Sequence, residues 1–179
     1  ERHNFSPYFA GLGTAEKLDC PFIAFSDIAL LLDKTLRLGW YAGNSEAPYL
    51  AKTIARIIDR IAERYGIRFV LFGGSGGGFA VLAISSYLAC NATAIAWNAQ
   101  TCIAKYMRKY ALHYVRVAFP KMASEAFMLL KKNEAEAIPL IHDLFNKLEI
   151  LSSVVDIERP KGVRVLYLQN RDDWHVHTH

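Results

Sequence analysis

The sequence predicts an α/β domain built on a mostly parallel sheet flanked by helices. Two observations predict it. An amphipathic helix, an apolar strand, an apolar helix and a second strand follow one another between Tyr49 and Asn98. A further core-type strand, GVRVLYLQN, returns at Gly162–Asn170. Helices alternating with strands place the strands side by side and parallel. The length of 179 residues fits one domain, long enough to bury roughly 70% of its unfolded surface. With 53% hydrophobic and 21% charged residues the chain is globular rather than disordered.

Element by element, Ser6–Thr14 (SPYFAGLGT) reads as a short strand ending in a glycine loop, and Pro21–Asp27 (PFIAFSD) as a second short strand. IALLLDKTLRL has helical spacing, and Gly39–Pro48 (GWYAGNSEAP) is a loop by its Gly, Asn and Pro content. In Tyr49–Gly66, Leu50, Ile54, Ile57, Ile58 and Ile61 recur at steps of three and four, and Gly66 stops the run. IRFVLFG reads as a buried strand without alternation. FAVLAISSYLAC is a helix apolar nearly all round, with Asn91 as its left-handed terminal residue. ATAIAWN (Ala92–Asn98) is the next strand. Residues 101–161 read as a helical cap inserted between two core strands, basic and aromatic at first. The chain lacks an initiator Met and ends in DDWHVHTH, so the expectation is a partial domain, cut at both ends.

Several function classes are excluded or left without support. A net charge of +4 is too mild to argue nucleic-acid binding. No charged residue occurs from Phe69 to Ala104, yet the run is broken by six small residues at 73–78 and by Ser85, Ser86, Asn91 and Asn98. A membrane helix needs about 20 continuous apolar residues, so no membrane span is expected. Cys20, Cys90 and Cys102 match no zinc spacing and read as reduced, mostly buried thiols of a cytoplasmic protein. His175, His177 and His179 would share one face of a strand, but they sit at a chain end without a convincing partner set, so no metal and no cofactor is expected. His3, His113 and His142 read as isolated.

The chemistry concentrates in RFVLFGGSGGGFAVLAISSYLAC, where Ser75 stands among five glycines. A Gly-rich strand-to-helix turn can hold a phosphate. No frame here completes G-x-G-x-x-G, no Asp or Glu occurs between Glu63 and Glu125, and no lysine follows until Lys105. Gly73-Gly74-Ser75-Gly76-Gly77 does match G-x-S-x-G between a strand and a helix, the context of a nucleophilic serine. Small neighbours let the backbone turn sharply enough to lift the hydroxyl above the sheet. The Gly76 N–H would be one oxyanion donor, and the N–H of Ala10 or Gly11 the second. In the order Ser, acid, His, the acid is Asp172 or Asp173 after the late strand, with Asp173 preferred. The base is His175 or His179 folding back, or a histidine not in this chain.

Together LGWYAG, FGGSGGGFAVL, AWNAQT with a later Tyr106, and YLQNRDDWHV with His179 resemble a group of bacterial serine-hydrolase-like proteins of α/β-hydrolase fold. These are associated with surface-polysaccharide loci and with the accessory Sec system that glycosylates and exports adhesins. The resemblance covers most of the chain from about Tyr8 and is weakest in the cap. It implies acyl-ester chemistry on glycans, as O-acetyl transfer or removal, with protein partners in glycosylation or export. By motif, Ser75 would be the nucleophile and Asp173 the acid, and Gly74, Trp97, Asn98, Gln100 and Thr101 would line the site. Ala99 stands where the group has proline, and Cys102 where it has an acid. The reading from another class is a non-catalytic accessory protein that keeps the fold and docks partners through Lys105–Lys121.

Overall fold

The computed structural model describes residues 9, 11–124 and 137–173. They form a mixed α/β structure around a three-stranded parallel sheet in the order β1-β2-β3. The strands are β1 (Phe69–Gly74), β2 (Ala92–Trp97) and β3 (Val163–Leu168). Gly74 is paired with Trp97, and Trp97 with Leu168, so all three strands end level. The helices are α1 (Leu12–Ala15), α2 (Leu50–Tyr65), α3 (Gly76–Ser85), α4 (Arg108–Ala118) and α5 (Ala137–Lys147).

The best-patterned segment folds as its pattern dictates. α2 buries Ile54, Ala55, Ile58 and Ala62 and ends at Gly66 in the left-handed region (φ 61°), whereas Ile57 of the expected stripe is exposed. Its Asp59 carboxylate accepts the Ala89 and Cys90 amides at 3.0 and 2.9 Å, tying α2 to the end of the α3 segment. α3 is buried along almost its whole length, as an apolar helix without a polar face must be. Ala92, Ala94 and Ala96 of β2 are buried beneath it, and their short side chains let the helix sit close. α3 stops at Ser86, which keeps right-handed geometry, so Asn91 is not its terminal left-handed residue. The Ser85 and Ser86 hydroxyls bond back to the carbonyls of Leu82 and Ala83, drawing the helix to a close.

The segment between β2 and β3 supplies much of the core. Tyr114, Val115 and Ala118 of α4 and Ile141, Leu144 and Phe145 of α5 share one buried cluster with Phe79, Leu82 and Ala83 of α3. Tyr114 stacks on Phe145 at 6.2 Å and meets Trp40 edge-on at 5.6 Å. The segment is closed at its root. Cys102 pairs antiparallel with Ser153, and the Ile103 and Val154 amides donate to the Ser152 and Thr101 carbonyls at 2.8 and 2.9 Å.

Four expectations change. Residues 12–15 are a short helix where a glycine loop was expected, and Ser6–Tyr8 of the expected strand lie outside the described residues. Pro21–Asp27 forms no strand, and Phe22 and Ile23 are exposed. IALLLDKTLRL makes only a 3-10 turn, Ile28–Leu31. Asp33 then takes the Thr35 amide at 2.7 Å, offering the backbone a turn in place of the next helical bond. The two strands read as buried each keep an open face: Val70 is 60% exposed and Leu168 49%. Their unbroken apolar runs suit a sheet covered on both sides, whereas helices α2 and α3 cover one side here. Of the three free cysteines, Cys102 is buried, Cys90 partly buried and Cys20 exposed. Among the described residues no helix is long and apolar enough to cross a membrane.

Candidate active site

Ser75 is the single residue between β1 and α3, and its backbone lies at φ 55°, ψ −123°. That is the mirror image of an ordinary extended turn conformation, favourable for glycine and strained for any residue with a Cβ. Three hydrogen bonds hold it there. The Ser75 N–H donates to the Trp97 carbonyl at 3.1 Å, and the Ser75 carbonyl accepts from the Phe79 and Gln100 amides, both at 3.2 Å. The residue is exposed, so its hydroxyl is open to a substrate.

The surrounding glycines provide clearance. A Cβ on Gly73 would stand 2.5 Å from the Gly77 carbonyl oxygen, and one on Gly78 2.6 Å from Ala99 Cβ. A Cβ on Gly74 would fall inside the Trp97 indole. Gly77 has open space and serves no such purpose. The turn is thus packed tightly on both sides of the serine, by the first turn of α3 on one side and by Trp97 on the other.

Behind the serine lies a buried polar chain. Gln100 Nε2 donates to Ser75 Oγ at 2.9 Å, and Trp40 Nε1 donates to Gln100 Oε1. Gln100 is 1% and Trp40 2% exposed. An indole can only donate, which fixes the amide with its NH2 toward Ser75. Trp40 itself has a positive φ of 54°, as does Tyr41 at 53°. Asp27 secures this turn: its carboxylate accepts the Ala29 amide at 3.0 Å and the Tyr41 amide at 2.8 Å. Burial holds the Asp27 pKa above the ordinary carboxylate range against the pull of those two bonds. Burial, with the nearby Asp27 charge, pushes the Tyr41 hydroxyl up to about 12. The Tyr114 hydroxyl bonds the Gly43 carbonyl at 2.7 Å, closing the loop against α4.

The other expected residues distribute around this centre. Gly76 opens α3, so its N–H is among the four amides that a helix leaves without an internal acceptor. Trp97 covers Gly74 and stacks with Phe72 at 6.3 Å. Gly11 (φ 87°) packs on the Phe72 ring, which brings the early glycine loop to this side of the sheet. Asn98 (φ 43°) bridges to the end of β3, its Oδ1 accepting the Asn170 amide at 2.8 Å and lying 3.3 Å from Gln169 Nε2. Thr101 follows Gln100 into the root of the insert, where its carbonyl accepts the Val154 amide.

Asp173 is half-buried just beyond β3, while Asp172 is exposed. The Tyr106 and Tyr167 hydroxyl pKa values are raised first by burial, with the Asp173 charge adding to both. Tyr167 donates to the Ala99 carbonyl at 3.1 Å, beside Gln100. Ala10, His3, His175, His177 and His179 lie outside the described residues. His142 is not isolated: Nδ1 is 3.0 Å from Ser152 Oγ and Nε2 3.6 Å from the buried Cys102 Sγ. His113 faces Thr35 Oγ1 at 3.3 Å.

Sequence reasoning missed the role of Trp40, taking its segment as a plain loop. The available signal was a lone Trp-Tyr pair flanked by Gly39 and Gly43 in an otherwise polar stretch. No family model, curated protein or solved structure matches the chain.

Proposed function

We propose that the chain is a serine hydrolase or acyltransferase of α/β-hydrolase type that acts on acyl esters through Ser75. The observation that carries this reading is the backbone of Ser75: strained, exposed, and set between a parallel strand and a buried helix. Such strain persists only where the surroundings enforce it, and it gathers at functional positions. In the reaction, Ser75 Oγ bonds to the acyl carbon while its proton passes to a histidine base. The carbonyl electron pair moves onto oxygen, where the Gly76 N–H and an amide of the Ala10–Gly11 segment would receive it. Collapse expels the alcohol, which takes that proton from the histidine, and water or a sugar hydroxyl, deprotonated by the freed base, then takes the acyl group. Asp173 would orient the base, which is His175, His179 or a histidine supplied from outside this chain.

O-acetyl groups of bacterial surface glycans are the substrate class favoured by the resemblance of LGWYAG, FGGSGGGFAVL and YLQNRDDWHV to the polysaccharide-locus proteins. The rival reading, a non-catalytic docking module, relied on the basic aromatic stretch around α4. Burial of Tyr114, Val115 and Ala118 makes that stretch in large part a core helix, which weakens the rival. A fluorophosphonate probe decides between them. In the full-length protein the wild type is expected to label, and Ser75→Ala to lose the label completely. Labelling that survives in Ser75→Ala removes the assignment, and a wild type that never labels favours the docking module.

A further inference from the structure

We propose that Gln100 is a catalytic hydrogen-bond donor to the Ser75 oxygen and that Trp40 is the positioning residue that keeps its amide in the productive orientation. The proposal rests on the reading of Ser75 as nucleophile. A hydroxyl has one hydrogen and two lone pairs. Gln100 Nε2, at 2.9 Å, occupies one lone pair. The hydrogen stays available to a base and the second lone pair to an electrophile. As the proton leaves, charge grows on Oγ and the bond becomes charge-assisted, roughly twice as strong as a neutral one. Gln100 is itself 1% exposed, so its amide is held by protein rather than by water when that charge develops.

The opposite amide orientation would be a trap. With Oε1 toward Ser75, the amide would accept the only hydroxyl hydrogen and hold it away from the base. In that orientation Nε2 would also face the Trp40 N–H, donor against donor. The bond from Trp40 Nε1 to Gln100 Oε1 excludes this state. The effort spent on placing Trp40 fits the role. It sits at positive φ in a turn anchored by the buried Asp27 carboxylate, and a Cβ on Gly39 would come within 2.6 Å of that carboxylate. A glutamine needed only for packing could be replaced by an apolar residue of its size with no indole to orient it.

The test is the second-order rate of Ser75 phosphonylation by a fluorophosphonate, measured on the intact protein. In that step the Oγ–P bond forms, the P–F bond breaks, fluoride leaves and the serine proton goes to the base. Gln100→Met removes the donor at similar volume, and about a 10²-fold loss is expected, the size of losing one hydrogen bond to a charged oxygen. Trp40→Phe is expected to lose about 10-fold, in the maximal inactivation rate and not in probe affinity, because part of the population adopts the trapped orientation. In the double variant Trp40→Phe/Gln100→Met the tryptophan effect should vanish, leaving the rate of Gln100→Met alone. A merely structural tryptophan would instead multiply the two losses. The double variant strands no polar partner, so it also serves if Gln100→Met folds poorly; it must then fall about 10-fold below Trp40→Phe. A Ser75-dependent label that Gln100→Met leaves within threefold of wild type overturns the relay alone, as do multiplying losses. An unlabelled wild type, or a label surviving Ser75→Ala, overturns the nucleophile and the relay together.

Discussion

Replacing Ser75 by glycine should stabilise the fold relative to replacing it by alanine. At φ 55°, ψ −123° any side chain with a Cβ is strained, and such residues cost about 1–3 kcal/mol. Alanine keeps that strain and glycine relieves it, at an entropic penalty of about 0.5–1 kcal/mol. Both variants lose the same 2.9 Å bond from Gln100, so this loss cancels in the comparison. The net expectation is Ser75→Gly more stable than Ser75→Ala by about 1 kcal/mol, equivalent to about 2–4 °C in Tm for a chain of this size. Thermal melts and urea titrations by circular dichroism measure it, with equal m-values required so that the denatured states compare. Ser75→Gly melting at or below Ser75→Ala would refute the claim that position 75 stores strain.

Two further outcomes follow from the packing and the buried carboxylate. Gly78→Ala places a Cβ 2.6 Å from Ala99 Cβ and 3.0 Å from Ala99 Cα. Overpacking of about 1–3 kcal/mol should outweigh the helix-propensity gain of about 1 kcal/mol, so Tm falls, and a rise would show that the β2–α3 approach is looser than described. Asp27 has a raised pKa in the fold, so the folded state holds its proton more tightly than the unfolded chain. Its contribution therefore makes stability decline as pH rises from the ordinary carboxylate range through the raised value. Asp27→Asn lacks that decline, so its Tm relative to wild type should improve from pH 4 to pH 7 in a melting series; a difference constant with pH would refute the ionisation argument.

What the sequence made legible was what local pattern controls. The 3.6-residue stripe from Leu50 to Ile61, the Gly66 stop and the three strands are all local and stand where expected, while the apolar α3 forms but starts at Gly76 and ends early, at Ser85. The serine turn was legible because its glycines are read as clearance, and Gly73, Gly74 and Gly78 each meet a neighbour closely. What was not legible depends on distant partners. Pro21–Asp27 has strand composition but, among the described residues, no strand beside it to pair with, and its apolar residues stay irregular. Gln100 was placed near the serine by resemblance alone, and Trp40, sixty residues earlier in the chain, entered only through a side-chain bond. No periodicity encodes a contact of that kind.

The indole of Trp97 occupies the volume that any side chain at position 74 would need, and the two residues face each other in register across neighbouring strands. The two positions are therefore sterically coupled. A lineage that first enlarged Gly74 would pass through a collision beside Ser75. One that first shortened Trp97 would pass through a vacated hollow, which a later residue at 74 could fill. The accessible order of change is thus written into the turn, and the identity of the residue before Ser75 is settled by an aromatic ring on the next strand.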